Sequence, residues 1–182
     1  MAKLVSKTYG DALFEVALEK DALAAMADEV KAVADVLANN GELLSLLNHP
    51  KIVKEEKIQV IKTVFENAVS GEMLEFLVLV VTKGRQNDIS SILEYFIDRY
   101  REHSNIGVAY VTTPMEMSEA QKEAVLKKLL DTTKYVEFEM HYSVDPTLIG
   151  GMVIRIGDRV VDSSIKTKLD NLSKNLKTVQ LA

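Results

Sequence analysis

The chain has 182 residues, 47% of them hydrophobic and 27% charged, and a formal net charge of −5. This is the make-up of an ordinary globular protein, long enough for one large domain or two small ones and too apolar to stay disordered. The acidic balance argues against a dedicated nucleic-acid binder, which shows a basic footprint, and zero cysteines exclude disulfides, thiolate catalysis and zinc fingers.

The opening residues, "MAKLVSKTYGDALFEVALEKD", lack a long uncharged apolar run, so no secretory signal is expected there. No segment holds about 18 apolar residues without charge, so no membrane span is expected either. Residues 3–19 and 21–38 carry apolar residues at three- and four-residue spacing, as in Leu23, Met26, Val30, Val33 and Leu37, and read as helices. "ANNG" at 38–41 is a stop signal, with Gly41 suited to a left-handed C-cap. A short apolar stretch from Leu43 to Leu47 runs into Pro50, which forbids continuation and opens the next helix at 51–68. Residues 72–83 form a further helix closed by Gly84, and Asn87 or Asp88 caps another that continues to about Ser104. Five or six helices with short connections make an antiparallel bundle.

After Asn105 the period falls from 3.6 to 2. "IGVAYVTT" is a β-branched, apolar strand ended by Pro114. Ser118 and Gln121 form a capping-box pattern at the start of a helix. In "YVEFEMHYSV", Tyr135, Glu137, Glu139 and His141 face one way, and Val136, Phe138, Met140 and Tyr142 the other. "GGMVIRIG" and "RVVD" supply two more strands, and a last helix runs from about Ser163 to Thr178. The expected fold is α+β: an all-α bundle over 1–104, then a small unit of four strands and two helices over 105–182. Charge divides likewise, with 12 basic against 17 acidic residues in the first part and 10 against 10 in the second.

Three of the eight glycines fall in "DPTLIGGMVIRIGDRVVDSS" at 145–164, which invites a phosphate-loop reading. A P-loop needs Gly-x-x-x-x-Gly-Lys-Ser/Thr and a dinucleotide fingerprint needs Gly-x-Gly-x-x-Gly before a helix. Gly150, Gly151 and Gly157 have neither spacing, and a strand follows them. Gly157-Asp158 sits between two apolar runs as a two-residue hairpin turn, with Gly150-Gly151 the bend that enters it. His49, His103 and His141 lack zinc spacing. Ser163-Ser164 lacks a nucleophile elbow, and one of these serines reads as the N-cap of the last helix. Met73, Met115, Met117 and Met140 are expected to fill cores. No catalytic residue, metal site or cofactor site is expected.

What remains is apolar surface. Helix 3–19 has an apolar arc of roughly two-thirds of its circumference. Tyr9, Ala12, Leu13 and Val16 form one edge and Phe14 and Leu18 the other, with charge confined to Lys7, Asp11, Glu15 and Glu19. In helix 72–83, Met73, Leu77, Val80 and Val81 make one face, while Phe76 and Leu79 make a second strip bounded by Glu72, Glu75 and Lys83. Such a helix either lies at the bundle centre, covered on all sides, or borders a groove for an amphipathic helix from another protein. The last helix sets Ile165, Leu169, Leu172 and Leu176 in one stripe beside Lys166, Lys168, Lys174 and Lys177. That surface is either a solvated lysine face or a dock for an acidic helix. Two readings of another class are a small nucleotide-binding enzyme using Gly150–Asp158 and a nucleic-acid-binding adaptor using the last helix.

"YGDALFEVA" near the start, "KGR" after the fifth helix and "VDPTLIGGMVIRIGDRVVDSSIKTKLDNL" together resemble the delta subunit of F-type ATP synthase, the oligomycin-sensitivity-conferring protein family. The resemblance spans the chain, and its C-terminal string is the specific part. Two departures stand out. Asp162-Ser163-Ser164 replaces the family's Asp-Gly-Ser, which would strain any left-handed conformation there, and "VTTPM" replaces a Val-Thr-Ser-Ala beginning. The resemblance implies a non-enzymatic stator subunit without cofactors, one copy per complex, at the cytoplasmic face of the bacterial cell membrane and reaching the membrane only through the complex. It implies that the N-terminal helical segment of the alpha subunit lies between the first and fifth helices. Tyr9, Ala12, Leu13 and Val16 with Phe76, Leu79 and Val80 are then the expected groove. It also implies that the C-terminal domain meets the b subunit's C-terminal region, and that nucleic acid is not a partner.

Overall fold

The computed structural model describes residues 2–179, with side chains described over 4–173; the side chains of Lys174, Leu176 and Lys177 lie outside the described residues. Two compact units divide the chain, the first ending at Glu102 and the second beginning at His103. The change of period at Asn105 thus trails the division by two residues.

The first unit is helical: α1 (Ala2–Glu19), α2 (Leu23–Asn39), α3 (Gly41–Asn48), α4 (Lys54–Phe65), α5 (Gly71–Thr82) and α6 (Ile89–Ser104). Each helix turns its apolar stripe inward. Met26, Val30, Val33 and Leu37 of α2 are all buried, as are Met73, Leu77, Val80 and Val81 of α5. Phe14 of α1 meets Phe96 of α6 edge to face, ring centroids 6.0 Å apart. Two expected boundaries differ. Gly41 does not cap α2 in a left-handed conformation; Asn40 stands there at φ −118° and Gly41 begins α3. Neither Asn87 nor Asp88 caps α6, because Gln86–Asp88 form a 3₁₀ turn that runs straight into it.

The second unit is a four-stranded sheet with two helices: β1 (Ile106–Thr113), α7 (Glu119–Thr132), β2 (Glu137–Val144), β3 (Val153–Ile156), β4 (Arg159–Asp162) and α8 (Ile165–Val179). Strand order is β2-β1-β3-β4. β1 and β2 run parallel in register Ile106↔Glu137, with α7 as the crossover that a parallel pair requires, and the other two pairs are antiparallel. The capping box at α7 is complete: Gln121 donates its amide to the Ser118 hydroxyl, and its side chain accepts from the Ser118 amide at 2.9 Å. Val125, Leu126, Leu129 and Leu130 of α7 lie over Ala109, Phe138, Met140, Ile154 and Ile156. β2 begins two residues later than its alternation suggested. Val136 is 74% exposed, and Tyr135 folds onto Phe138 instead of facing away from it. Met115 is exposed, not a core residue.

The glycine-rich stretch turns the chain. Gly157 at φ +54° opens the two-residue turn between β3 and β4, with Asp158 its second residue at negative φ, the pattern of a type II′ hairpin. Gly150 accepts from the Ile165 amide at 2.9 Å, and a Cβ on it would stand 2.6 Å from Ile165 Cδ1. Gly151, at φ +78°, lies against the Ser163 carbonyl, where a Cβ has no space. The left-handed residue is therefore Gly151 and not Ser163, so the strain expected from the missing Asp-Gly-Ser glycine does not arise. Ser164 is the N-cap of α8, its hydroxyl accepting from the Thr167 amide at 3.2 Å.

Candidate functional site

An open groove of about 620 Å³ lies between α1 and α5. Helical spacing builds both walls. α1 presents Tyr9, Ala12, Leu13 and Val16, and α5 presents Glu72, Glu75, Phe76 and Leu79, each set repeating at three and four residues. Thr8 and Lys20 mark the ends of the α1 wall. Twelve residues at 1.5 Å each make a trough about 18 Å long, room for about three turns of a partner helix.

Both walls are held from behind. On α1, Gly10 lies directly against the Tyr95 ring of α6, so close that a side chain on it would overlap the ring. The Tyr95 hydroxyl donates to Asp11 at 2.9 Å, and Arg99 lies 3.9 Å from the same carboxylate. Burial, and then that carboxylate, raise the Tyr95 hydroxyl above its ordinary range. At the start of α5, the Ser70 hydroxyl accepts from the Met73 amide at 3.4 Å, and Glu29 of α2 accepts from both the hydroxyl and the amide of Ser70. At its end, Gly84 at φ +69° lets the Arg85 amide reach the Val80 carbonyl at 3.0 Å, a Schellman closure. One end of the groove is crossed by an ion pair from Lys20 to Glu72. The Lys20 hydrogen bond, chief among several, lowers the Glu72 carboxyl below its ordinary range.

The seven expected groove residues do not all meet here. Tyr9, Ala12, Leu13, Val16, Phe76 and Leu79 line it; Val16 is 39% and Leu79 46% exposed, while Leu13 forms the floor. Val80 is the correction. It is fully buried in the helical core, because it stands about 100° around the helix from Leu79 on the inward stripe. On α1, Phe14 of the second edge is sealed in the core, and Leu18 is 43% exposed. Glu72 and Glu75, read from the sequence as bounds of the Phe76–Leu79 strip, do form part of the rim, whereas Lys83 does not line the groove and sequence reading missed Thr8 and Lys20. The groove offers apolar anchors with a charged rim, and among the described residues no three His, Asp or Glu gather to hold a metal. His49 accepts from the Lys51 amide in a turn, and His141 stacks on Tyr110 with centroids 4.9 Å apart.

In the second unit the exposed apolar residues include Ile165, Leu169 and Leu172 on α8, between 43% and 58% exposed, and Val160 and Val161 on β4. No helix among the described residues is long and apolar enough to cross a membrane.

Fold and groove together define a two-unit protein with an open apolar groove and, among the described residues, no cluster of side chains able to hold a metal. The family model of the ATP synthase delta (OSCP) subunit matches residues 5–176. The chain is 56% identical over 181 residues to the ATP synthase subunit delta of Lachnoclostridium phytofermentans, covering all of both chains. It is 41% identical over 172 residues to that of Desulforamulus reducens, covering 94% of each. A chain of the Toxoplasma gondii mitochondrial ATP synthase hexamer shares the fold, with a TM-score of 0.73 at 20% identity over 94% of this chain and 96% of that one. This chain belongs to the ATP synthase delta (OSCP) subunit family. It is a non-catalytic stator subunit of the peripheral stalk of an F-type ATP synthase.

Proposed function

We propose that the α1/α5 groove receives the N-terminal helical segment of the alpha subunit, and that the second unit holds the C-terminal region of b. One copy per complex then ties the catalytic head to the peripheral stalk at the cytoplasmic face of the bacterial membrane, touching that membrane only through the complex. The observation that carries this reading is the pair of facing helical stripes, with apolar side chains left open on two well-anchored helices. Val16 and Leu79 are exposed for want of a covering group, and an amphipathic helix of about three turns supplies one. For b, the open stripe of Ile165, Leu169 and Leu172 beside Lys166 and Lys168 suits a helix with an acidic flank.

Holding against torque requires slow dissociation. Nanomolar affinity, about −12 kcal/mol, is the scale to expect. Several apolar anchors of about 1.5–3 kcal/mol each, when fully covered, exceed a moderate association cost. Leu79→Asp places a charge on the groove wall without touching the core. Calorimetry with an alpha N-terminal peptide should show binding abolished while the helical circular dichroism persists. Leu169→Asp should leave that binding intact and weaken capture of a b C-terminal segment. Equal peptide binding by Leu79→Asp and the unaltered chain would remove the groove assignment.

A further inference from the structure

Tyr9, Ala12 and Val16 line the groove, so what fixes the position of α1 lies on its far side, where Gly10, Asp11 and Phe14 stand. Gly10 makes the closest approach to α6. A Cβ built on it would overlap Tyr95 Cδ1 and stand 3.2 Å from Cε1, so the ring fills the space where a side chain would begin. The ring is not free to swing away. Its hydroxyl donates to Asp11, one residue further along α1, at 2.9 Å. Arg99, one turn on in α6, lies 3.9 Å from the same carboxylate and 5.8 Å over the Phe14 ring.

Tyr95 therefore acts on α1 in both directions. Its ring limits how near α1 can come to α6, and its hydroxyl keeps α1 from moving off. Gly10 and Asp11 fall between the wall residues Tyr9 and Ala12, so a shift at this point of a stiff helix moves the wall with it. The other tie, from Lys20 to Glu72, is at the groove's end and exposed, and exposed ion pairs hold little.

We propose that Tyr95 is the positioning residue of the groove: its ring against Gly10 and its hydroxyl on Asp11 set the distance of α1 from α5, and so the width that a partner helix meets. The proposal rests on reading the α1/α5 groove as the seat of such a helix. Tyr95 does not line the groove, so it acts only through α1. A gap of about 0.5–1 Å already forfeits a quarter to a half of the attraction in each apolar contact. A displaced wall thus weakens binding with every wall residue unchanged.

The alpha N-terminal peptide is titrated into the full chain and its variants by calorimetry, well below each melting temperature, with urea unfolding in parallel. Gly10→Ala forces α1 off the ring and should weaken the peptide about tenfold. Tyr95→Phe keeps the ring and loses the bond to Asp11, and should weaken it about threefold. Gly10→Ala combined with Tyr95→Leu gives the added methyl room and should recover about threefold of the affinity lost in Gly10→Ala, whereas merely destabilising changes would accumulate. Unaltered affinity in Gly10→Ala, or a double variant that binds no better than Gly10→Ala, overturns the positioning role. Should Gly10→Ala fail to fold, Tyr95→Phe decides alone, and unaltered affinity there overturns it. Leu79→Asp separates this inference from the reading beneath it. If Leu79→Asp abolishes binding while Gly10→Ala changes nothing, the groove stands and only Tyr95 loses its role; if Leu79→Asp still binds the peptide, both fall.

Discussion

The helical unit gathers twenty buried residues, from Leu13 to Ile97, into one core, whereas the buried cluster of the α+β unit has three: Ala109, Leu129 and Phe138. Six helices enclose their stripes from several directions. In the second unit α7 lies over one face of the sheet, while β4 and α8 leave Val160, Val161, Leu169 and Leu172 more than half exposed. A unit of about eighty residues with so little enclosed apolar surface is marginal on its own. The contrast bears on the stator role. The first unit encloses its core and leaves an apolar groove open between two anchored helices, a firm seat. The second should gain measurable stability from whatever docks on it, because a ligand that binds only the folded form shifts the unfolding equilibrium.

Core truncations break or sharpen that contrast most strongly. Phe96→Ala removes a fully buried ring packed on Phe14 and should cost about 3–5 kcal/mol. Leu129→Ala, at a site 8% exposed with fewer buried neighbours, should fall near the lower end of its range, about 2 kcal/mol. Urea unfolding of each variant, followed by circular dichroism, measures both. Equal losses would show that the second core is as tightly filled as the first.

The helices were legible in the sequence because each buried stripe repeats at three and four residues, and the Met26-Val30-Val33-Leu37 set is buried throughout. The same periodicity separated the inward face of α5 from the Phe76–Leu79 strip. Placing Val80 in the groove contradicted that separation, and the buried side chain of Val80 follows the periodicity. What could not be read depends on contacts distant in sequence. No local pattern says that β1 and β2 pair in parallel, or that the left-handed residue is Gly151 and not the serine facing it. Asn40 holds φ −118° because its amide and side chain both donate to the Val36 carbonyl, an end to α2 that leaves Gly41 free to start α3. Lys57, on the inward stripe of α4 with Ile61 and Phe65, was invisible for a different reason. A lysine in an amphipathic pattern is assigned to the solvent face, and only the folded chain shows how little of this one is exposed.

Within the second unit, two glycines share a left-handed backbone but not their surroundings. Both Gly151 and Gly157 have positive φ. A Cβ on Gly157 meets open space, whereas one on Gly151 meets the Ser163 carbonyl, a backbone group that cannot swing aside. Gly157→Ala should therefore cost about 1 kcal/mol of backbone strain, and Gly151→Ala about 2–3 kcal/mol or more. Thermal unfolding that ranks the two variants the other way would mean that the start of α8 yields easily, and that the looseness of this unit extends to its backbone.

The smallest expected effect lies at that same junction and depends on pH. Asp162 accepts from the Thr167 hydroxyl at 2.6 Å and from the Ser164 amide at 2.8 Å. These bonds, the Thr167 hydroxyl first, hold its carboxyl below the ordinary range. A carboxyl lowered by folding contributes stability that is fully present above its unfolded value of about 3.9 and is lost as pH falls through the folded value. Asp162→Asn should accordingly melt below the unaltered chain at pH 7, with the gap closing as the pH drops under about 4. The helical unit's Phe96→Ala deficit has no such origin and should persist across that range. A gap at Asp162 that stays constant with pH would show that the charge is not what fastens α8 to β4, leaving the hydrogen bonds of Ser164 and the Gly150–Gly151 bend to do so.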